Sequence, residues 1–398
     1  MQPASRTRIL IVDDSAVMRS LLRSVICTDA TLEVAGTATD GASALGSLAL
    51  NRPDLILLDV EMPVMGGLVT LSELRRLGHK MPVIMVSSLT QRGASVTIEA
   101  LAGGASDYVT KPAGQSGREA ALRTLAQDLL PKIHALTDLS RNNSLNRSFG
   151  PLPVQPRPVF PGLPRSPLAP SLAQSLSPAF RQQPITAVPA VVVIGVSTGG
   201  PAALDILLPK LPANFALPVL IVQHMPELFT RLFAERLNGR CNLCVREASE
   251  SVQVHPGTIY IARGNWHLEV LPASIPSNPP TLHLNQGPLE NHCRPAVDVL
   301  FRSVAKVYGS GVLAVVLTGM GSDGASGCRL IREQGGSVLA QDEASSTVWG
   351  MPGAVVAAGL AHRMLPLDAI APEILRIAGR AQNELRQPSR DLDRKAVS

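Results

Sequence analysis

The feature that most constrains this chain is a rhythm. Short aliphatic runs, too apolar to face water on either side, alternate with longer segments whose apolar residues recur at helical spacing. RILIV, LEVAG, DLILLD, PVIMVSS and SDYVTK carry the rhythm early in the chain. AVVVIG, PVLIVQ, TIYIA, GVLAVVLT and GSVLAQ carry it later. Strands buried on both faces and joined through helices make parallel sheets, so α/β folds are predicted for both parts. No motif recurs at a fixed period.

The rhythm stops once. From about Ser140 to Pro184 the text turns to Pro, Ser, Leu, Arg and Asn, with about ten prolines and no helical or strand period. This predicts a domain at 1–130, a flexible linker at 131–187, a second domain at 188–385 and a polar tail at 386–398. The linker also explains the charge. The net charge is +5, and Arg141, Arg147, Arg157, Arg165 and Arg181 lie in that stretch with no acidic residue among them. The remainder is balanced, so no folded basic groove is expected and no nucleic-acid partner. No apolar run approaches the ~18 residues of a membrane span, and no apolar leader with a small-residue cleavage site opens MQPASRTRILIVDDS. Five scattered cysteines suit a reducing, cytoplasmic setting; Cys241 and Cys244 form a lone CxxC without a second pair at zinc spacing.

Open parallel sheets bind ligands at the carboxyl ends of their strands. In the first domain those ends carry Asp13 and Asp14 after RILIV, Asp59 after DLILL, Ser87 and Ser88 after PVIMV, and Lys111 after SDYVT. One aspartate there could simply cap a helix. Three, with a lysine and a hydroxyl, suit a hard cation such as Mg²⁺ and a phosphoryl group. ILIVDDS, LILLDVEMP, VSS and DYVTKP together resemble a response-regulator receiver domain over residues 8 to about 125. The resemblance implies a (βα)5 flavodoxin-like fold with Asp59 as phosphoacceptor. It also implies Mg²⁺ held by Asp13, Asp14, Asp59 and the backbone carbonyl of Glu61. Ser87 and Lys111 would contact the phosphoryl group, with Tyr108 at the switch position. Gly66 departs from the usual Asp of that loop.

In the second domain, Gly195-Val196-Ser197-Thr198-Gly199 fits G-x-S-x-G at a strand-to-helix turn. Small residues on both sides allow a tight turn that lifts the hydroxyl, and the helix N-terminus faces a developing oxyanion, with the Thr198 N–H as donor. Dinucleotide and P-loop patterns do not fit these residues. His224 follows PVLIVQ directly and should share the sheet edge with Ser197, which marks it as the base. The other histidines read as structural or solvated. Two acids end strands: Asp323 in TGMGSDG is favoured as the orienting acid, and Asp342 after GSVLAQ is second. The order Ser, His, Asp differs from that of α/β hydrolases, but triads recur by geometry.

GVSTGGP, VQHMPELFTRLFAERL, RPAVDVLFRSVA, VVLTGMGSDGA and AQDEASSTVWGMP resemble the catalytic domain of protein-glutamate methylesterases of bacterial chemotaxis, the CheB type, over about residues 188 to 378. The resemblance implies a doubly wound, mostly parallel α/β catalytic domain and a triad of Ser197, His224 and Asp323. Its oxyanion site would draw on Met320. The implied reaction is hydrolysis of γ-glutamyl methyl esters on methyl-accepting chemoreceptors, with deamidation of receptor glutamines, and no cofactor for the ester chemistry. The implied phosphodonor is a chemotaxis histidine kinase. Arg263 and Trp266 in IARGNWHL, and Ala296 in RPAVD, depart from the expected pattern. A linker of ~45 residues spans roughly 35–40 Å, enough for the receiver to reach and cover the esterase mouth. A DNA-binding output domain does not fit the balanced, strand-rich second part; a non-catalytic scaffold and an esterase for a non-chemotactic receptor are the alternatives.

Overall fold

The computed structural model describes residues 6–112, 117–148, 180–273, 275 and 277–386, without the side chains of 138–148 and 380–386. The N-terminal domain runs β1 (Thr7–Val12), α1 (Ala16–Ile26), β2 (Leu32–Ala38), α2 (Gly41–Asn51), β3 (Leu55–Asp59), α3 (Gly67–Arg76), β4 (Val83–Ser87), α4 (Gln91–Ala102), β5 (Asp107–Thr110) and α5 (Arg118–Ser148). The sheet order is β2-β1-β3-β4-β5, all parallel, with helices on both faces as the apolar runs predict. Helix starts are marked locally: Ser15, Asp40 and Thr90 each accept a backbone N–H of the first turn. The parallel register brings the ends of β1, β3, β4 and β5 to one edge.

The C-terminal domain runs β6 (Val191–Val196), α6 (Gly200–Leu207), β7 (Val219–Gln223), α7 (Glu227–Asn238), β8 (Cys244–Glu247), β9 (Thr258–Ile261), β10 (His267–Leu271), β11 (Thr281–Asn285), α8 (Val297–Tyr308), β12 (Val312–Val316), α9 (Ala325–Glu333), β13 (Ser337–Gln341), α10 (Gly350–Ala357), β14 (Arg363–Leu365) and α11 (Leu367–Arg386). Its main sheet has the order β14-β13-β12-β6-β7-β9-β8, and every pairing is parallel. The chain winds outward from β6 in both directions, so the topological switch falls between β6 and β12. The expected strands are present. β8, β14 and the antiparallel pair β10–β11 are not among the expected strands. These are short or half-exposed, with polar residues breaking the apolar run, as edge strands commonly are.

The expected boundaries move. Residues 131–187 were assigned to the linker, yet α5 continues through Pro131 to Ser148. Leu125, Leu129, Ile133 and Leu136 form one buried stripe at helical spacing, so residues to at least Thr137 belong to the first domain. Pro131 lies inside the helix on its exposed side. At the other end, Phe180 packs on the C-terminal core, Ile185 is buried, and Arg332 binds the Gln183 side chain at 2.9 Å. The middle of the linker, 149–179, and the tail beyond 386 lie outside the described residues.

The two domains pack on each other. Ile98, Leu101 and Tyr108 of the first join Phe229 and Phe233 of the second in one apolar cluster. Met320 and Val348 pack with the buried stripe of α5. The Tyr108 and Phe229 rings stack at 4.7 Å between centroids and 14° between planes.

Candidate active site and candidate phosphoacceptor site

At the carboxyl edge of the first sheet, Asp13, Asp14 and Asp59 bring carboxylate oxygens within 4.8 Å of one another. Lys111 Nζ lies 3.0 Å from Asp13 Oδ2 and 2.9 Å from Asp59 Oδ2. Both of those oxygens are buried and lack an aligned hydrogen-bond donor. Burial, aided by the charge of Asp13 and opposed by Lys111, pushes the Asp59 carboxyl up to about 6. Three mutually repelling acids, two of them sharing a single lysine, fit a divalent cation. The Glu61 side chain pairs with Arg92, 3.4 Å away, and the Glu61 backbone hydrogen-bonds the Asp59 carboxylate. The Ser87 hydroxyl meets Thr97 Oγ1 of α4 at 2.6 Å. Gly66 stands at the N-cap of α3 without a side-chain cap, next to Val64, which is 94% exposed at φ 63°.

In the second domain Ser197 sits between the end of β6 and the start of α6. Its N–H donates to Thr318 O at 3.0 Å, and its carbonyl accepts the Gly200 N–H at 2.8 Å. Gly199 adopts φ 78°, and a Cβ there would lie 2.3 Å from Thr347 Oγ1, so the turn requires glycine. Val196 pairs with Gln223 across the parallel strands, so His224 follows in register beside Ser197. Gln223 Nε2 ties the two by donating to Ser197 O at 3.0 Å and His224 O at 3.3 Å.

Asp323 arrives from across the switch point, in the loop after β12. Its Oδ2 meets His224 Nε2 at 2.8 Å. The same carboxylate accepts Val297 N at 2.7 Å and Asp298 N at 3.0 Å. Ala296, the departure noted in RPAVD, gives α8 no side-chain cap; Asp323 takes the free N–H groups instead. Burial raises the Asp323 carboxyl, but His224 and the α8 amides outweigh it and hold it below the usual carboxylate range. Burial pulls the His224 imidazole down; contacts with Asp323 and Cys293 reverse that and push it up to about 9. Among the described residues, no hydrogen bond joins the Ser197 hydroxyl to His224. Asp342 instead binds Ser345 N at 3.0 Å and Ser345 Oγ at 2.6 Å, closing its own turn. His134 pairs with Asp29 at 2.8 Å, and His267 is buried on β10.

A cavity of about 650 Å³ holds Ser197, Thr198, His224 and Met320, and receiver residues Asp107 and Lys132 form its other wall. The Thr198 hydroxyl donates to Asp107 Oδ2 at 2.6 Å. Lys132 Nζ donates to Tyr108 O at 2.7 Å and pairs with Asp128 at 2.7 Å. Asp107, Lys132, Asn291 and Phe229 carry no signal in the sequence, because nothing local in SDYVT or ELFTRLF announces a contact with another domain. Arg263 and Trp266 form a rim cluster: Arg263 Nε donates to Glu227 at 2.9 Å, and its guanidinium lies 5.6 Å from the Trp266 ring centre.

Fold and site together define the class: a response-regulator receiver packed over the strand-end site of a parallel α/β enzyme domain. The family model described as CheB methylesterase matches residues 192–374, and that of the response regulator receiver domain matches 9–123. The chain is 46% identical to the protein-glutamate methylesterase/protein-glutamine glutaminase of Trichodesmium erythraeum, over 94% of this chain and 99% of that one. It is 47% identical to the protein of the same name from a Nocardioides species, over 95% and 97%. The crystal structure of the Thermotoga maritima CheB methylesterase catalytic domain is 40% identical, covers 48% of this chain and 98% of that one, and has a TM-score of 0.46. The chain belongs to the CheB methylesterase family, with a receiver domain at its N-terminal side.

Proposed function

We propose that this chain hydrolyses glutamate γ-methyl esters on bacterial chemoreceptors, and deamidates receptor glutamines, under control of its receiver. The observation that carries the reading is the His224–Asp323 bond at the sheet edge occupied by Ser197. Ser197 attacks the γ-carbonyl while His224 takes its proton, and Asp323 orients the imidazole and stabilises its charge. The Thr198 N–H, in the turn just before α6, and the backbone of the Met320 loop receive the oxyanion. His224 then protonates the leaving methanol, or ammonia from glutamine. Water, deprotonated by the same imidazole, releases the γ-carboxylate and restores Ser197. No step calls for a cofactor.

The receiver side supplies the control. Asp59 accepts the phosphoryl group from a chemotaxis histidine kinase. Asp13, Asp14, Asp59 and the Glu61 carbonyl would hold Mg²⁺, which when bound neutralises the acids and orients the incoming phosphoryl group. Lys111 and Ser87 contact the phosphoryl group. Ser87 then leaves Thr97, and Tyr108 leaves the Phe229 stack, which frees the cavity mouth. The reaction belongs in the cytoplasm, on the soluble part of membrane-bound receptors, with no nucleic-acid partner.

The test is methanol released from methyl-labelled receptor, with and without acetyl phosphate and Mg²⁺. Ser197→Ala should abolish turnover and leave the melting temperature unchanged. Retention of most of the activity would remove Ser197 as nucleophile.

A further inference from the structure

The geometry points to Asn291 as the positioning residue of the acid–base pair, its amide holding Asp323 in line with His224 while separating Asp323 from a second buried carboxylate. This rests on the hydrolytic reading above. Asn291 Nδ2 donates to Asp323 Oδ1 at 2.8 Å and to Asp298 Oδ2 at 3.0 Å. One amide group therefore uses both of its protons on two acids. Asp298 accepts its other bond from Gly327 N at 2.6 Å. Its carboxyl is raised by burial and by the neighbouring charge of Asp323.

The backbone narrows the choice of residue. Asn291 and His292 have φ of 50° and 62°, two consecutive left-handed residues. Gly, Asn and Asp tolerate that region best. Gly has no side chain, and Asp would add a third carboxylate to a buried pair. Asn alone among them both fits the turn and donates. The turn is anchored on each side: Glu290 and Cys293 exchange backbone hydrogen bonds, and Arg302 grips the Glu290 carboxylate at 2.5 and 2.6 Å.

The consequence is electrostatic. The amide draws charge from Asp323, which limits how strongly Asp323 holds His224 in its charged form. The ionisable groups around His224 are Asp323 and Cys293, with His292 and Arg294 on the same wall of the cavity and Asp298 and Glu290–Arg302 behind them. Asp107, Tyr108, Asp128 and Lys132 line the cavity from the receiver. Removing the amide leaves Asp323 more negative and freer to turn. The imidazolium is then favoured, and the acidic limb of the pH–rate profile moves to higher pH.

The experiment uses the full chain activated with acetyl phosphate and Mg²⁺, so that the receiver groups are displaced. Asn291→Gly keeps the turn and removes the amide. Asn291→Asp keeps the shape and removes the donors. Both should lower kcat by on the order of ten- to a hundredfold, with KM little changed. Both should also move the acidic limb of kcat/KM upward, Asn291→Asp further. Wild-type rates in Asn291→Gly would overturn the assignment, as would a fall in rate with an unmoved limb, which is the mark of a loop with only a structural role. Loss of folding in both variants would overturn it as well. Ser197→Ala, measured alongside, reports separately on the hydrolytic reading: an active Ser197→Ala protein sinks that reading whatever Asn291 does.

Discussion

Replacing Asp107 with alanine should switch on the esterase without a phosphodonor. Asp107 lies on the receiver, outside the proposed catalytic groups, yet its carboxylate accepts the Thr198 hydroxyl at 2.6 Å, next to Ser197 in the chain. A hydrogen bond to a charged group contributes about 1.5–3 kcal/mol. Burial of the carboxylate opposes this and raises its pKa, so the lower end, about 1.5 kcal/mol, is the better figure for the latch. That is roughly a tenfold change in the ratio of closed to open molecules. Lys132 keeps Asp128 and the Tyr108 carbonyl as partners, so the variant leaves no orphaned ammonium. The assay is methanol release from methylated receptor by full-length protein without phosphodonor. The expected result is a basal rate about ten times higher, a smaller stimulation by acetyl phosphate, and the same fully stimulated rate. An unchanged basal rate in a folded Asp107→Ala protein would refute the latch. Equal wild-type rates with and without phosphodonor would refute gating altogether.

The imidazole of His224 is raised to about 9 from an ordinary 6.5. Its charged pairing with Asp323 therefore stabilises the fold fully below about pH 6.5 and is lost as pH rises through about 9. The basal rate of the resting chain should climb over that interval, and His224→Gln should flatten the corresponding part of the melting-temperature profile. Asp59→Asn removes one of three crowded acids, so it should raise the melting temperature without Mg²⁺ and abolish stimulation by acetyl phosphate. Ile133→Ala, at a fully buried position of α5 beyond the expected domain end, should destabilise the receiver by about 2–5 kcal/mol in denaturant titrations. A neutral effect would return residue 133 to the linker.

Strand runs such as RILIV and AVVVIG were legible because a strand covered on both faces must be apolar throughout, and few other structures tolerate that. The acids and hydroxyl at their ends were legible because parallel strands deliver their carboxyl ends to one edge. Ser197 could be read from its glycines, since a turn that tight needs them. Asp323 could be favoured over Asp342 but not separated from it. What distinguishes them is that Asp323 reaches the uncapped N-terminus of α8 and the His224 ring, whereas Asp342 closes on Ser345.

What the sequence determined by itself was local: which segments become strands, where turns need glycine, and which chemistry waits at each strand end. What the tertiary structure decided was every pairing between residues far apart in the chain. The Asp107–Thr198 bond spans 91 positions and Asn291–Asp323 spans 32. No periodicity encodes such pairs, because they depend on how whole elements pack. The length of α5 was settled the same way, since Ile133 and Leu136 look like linker residues until a core is present to bury them.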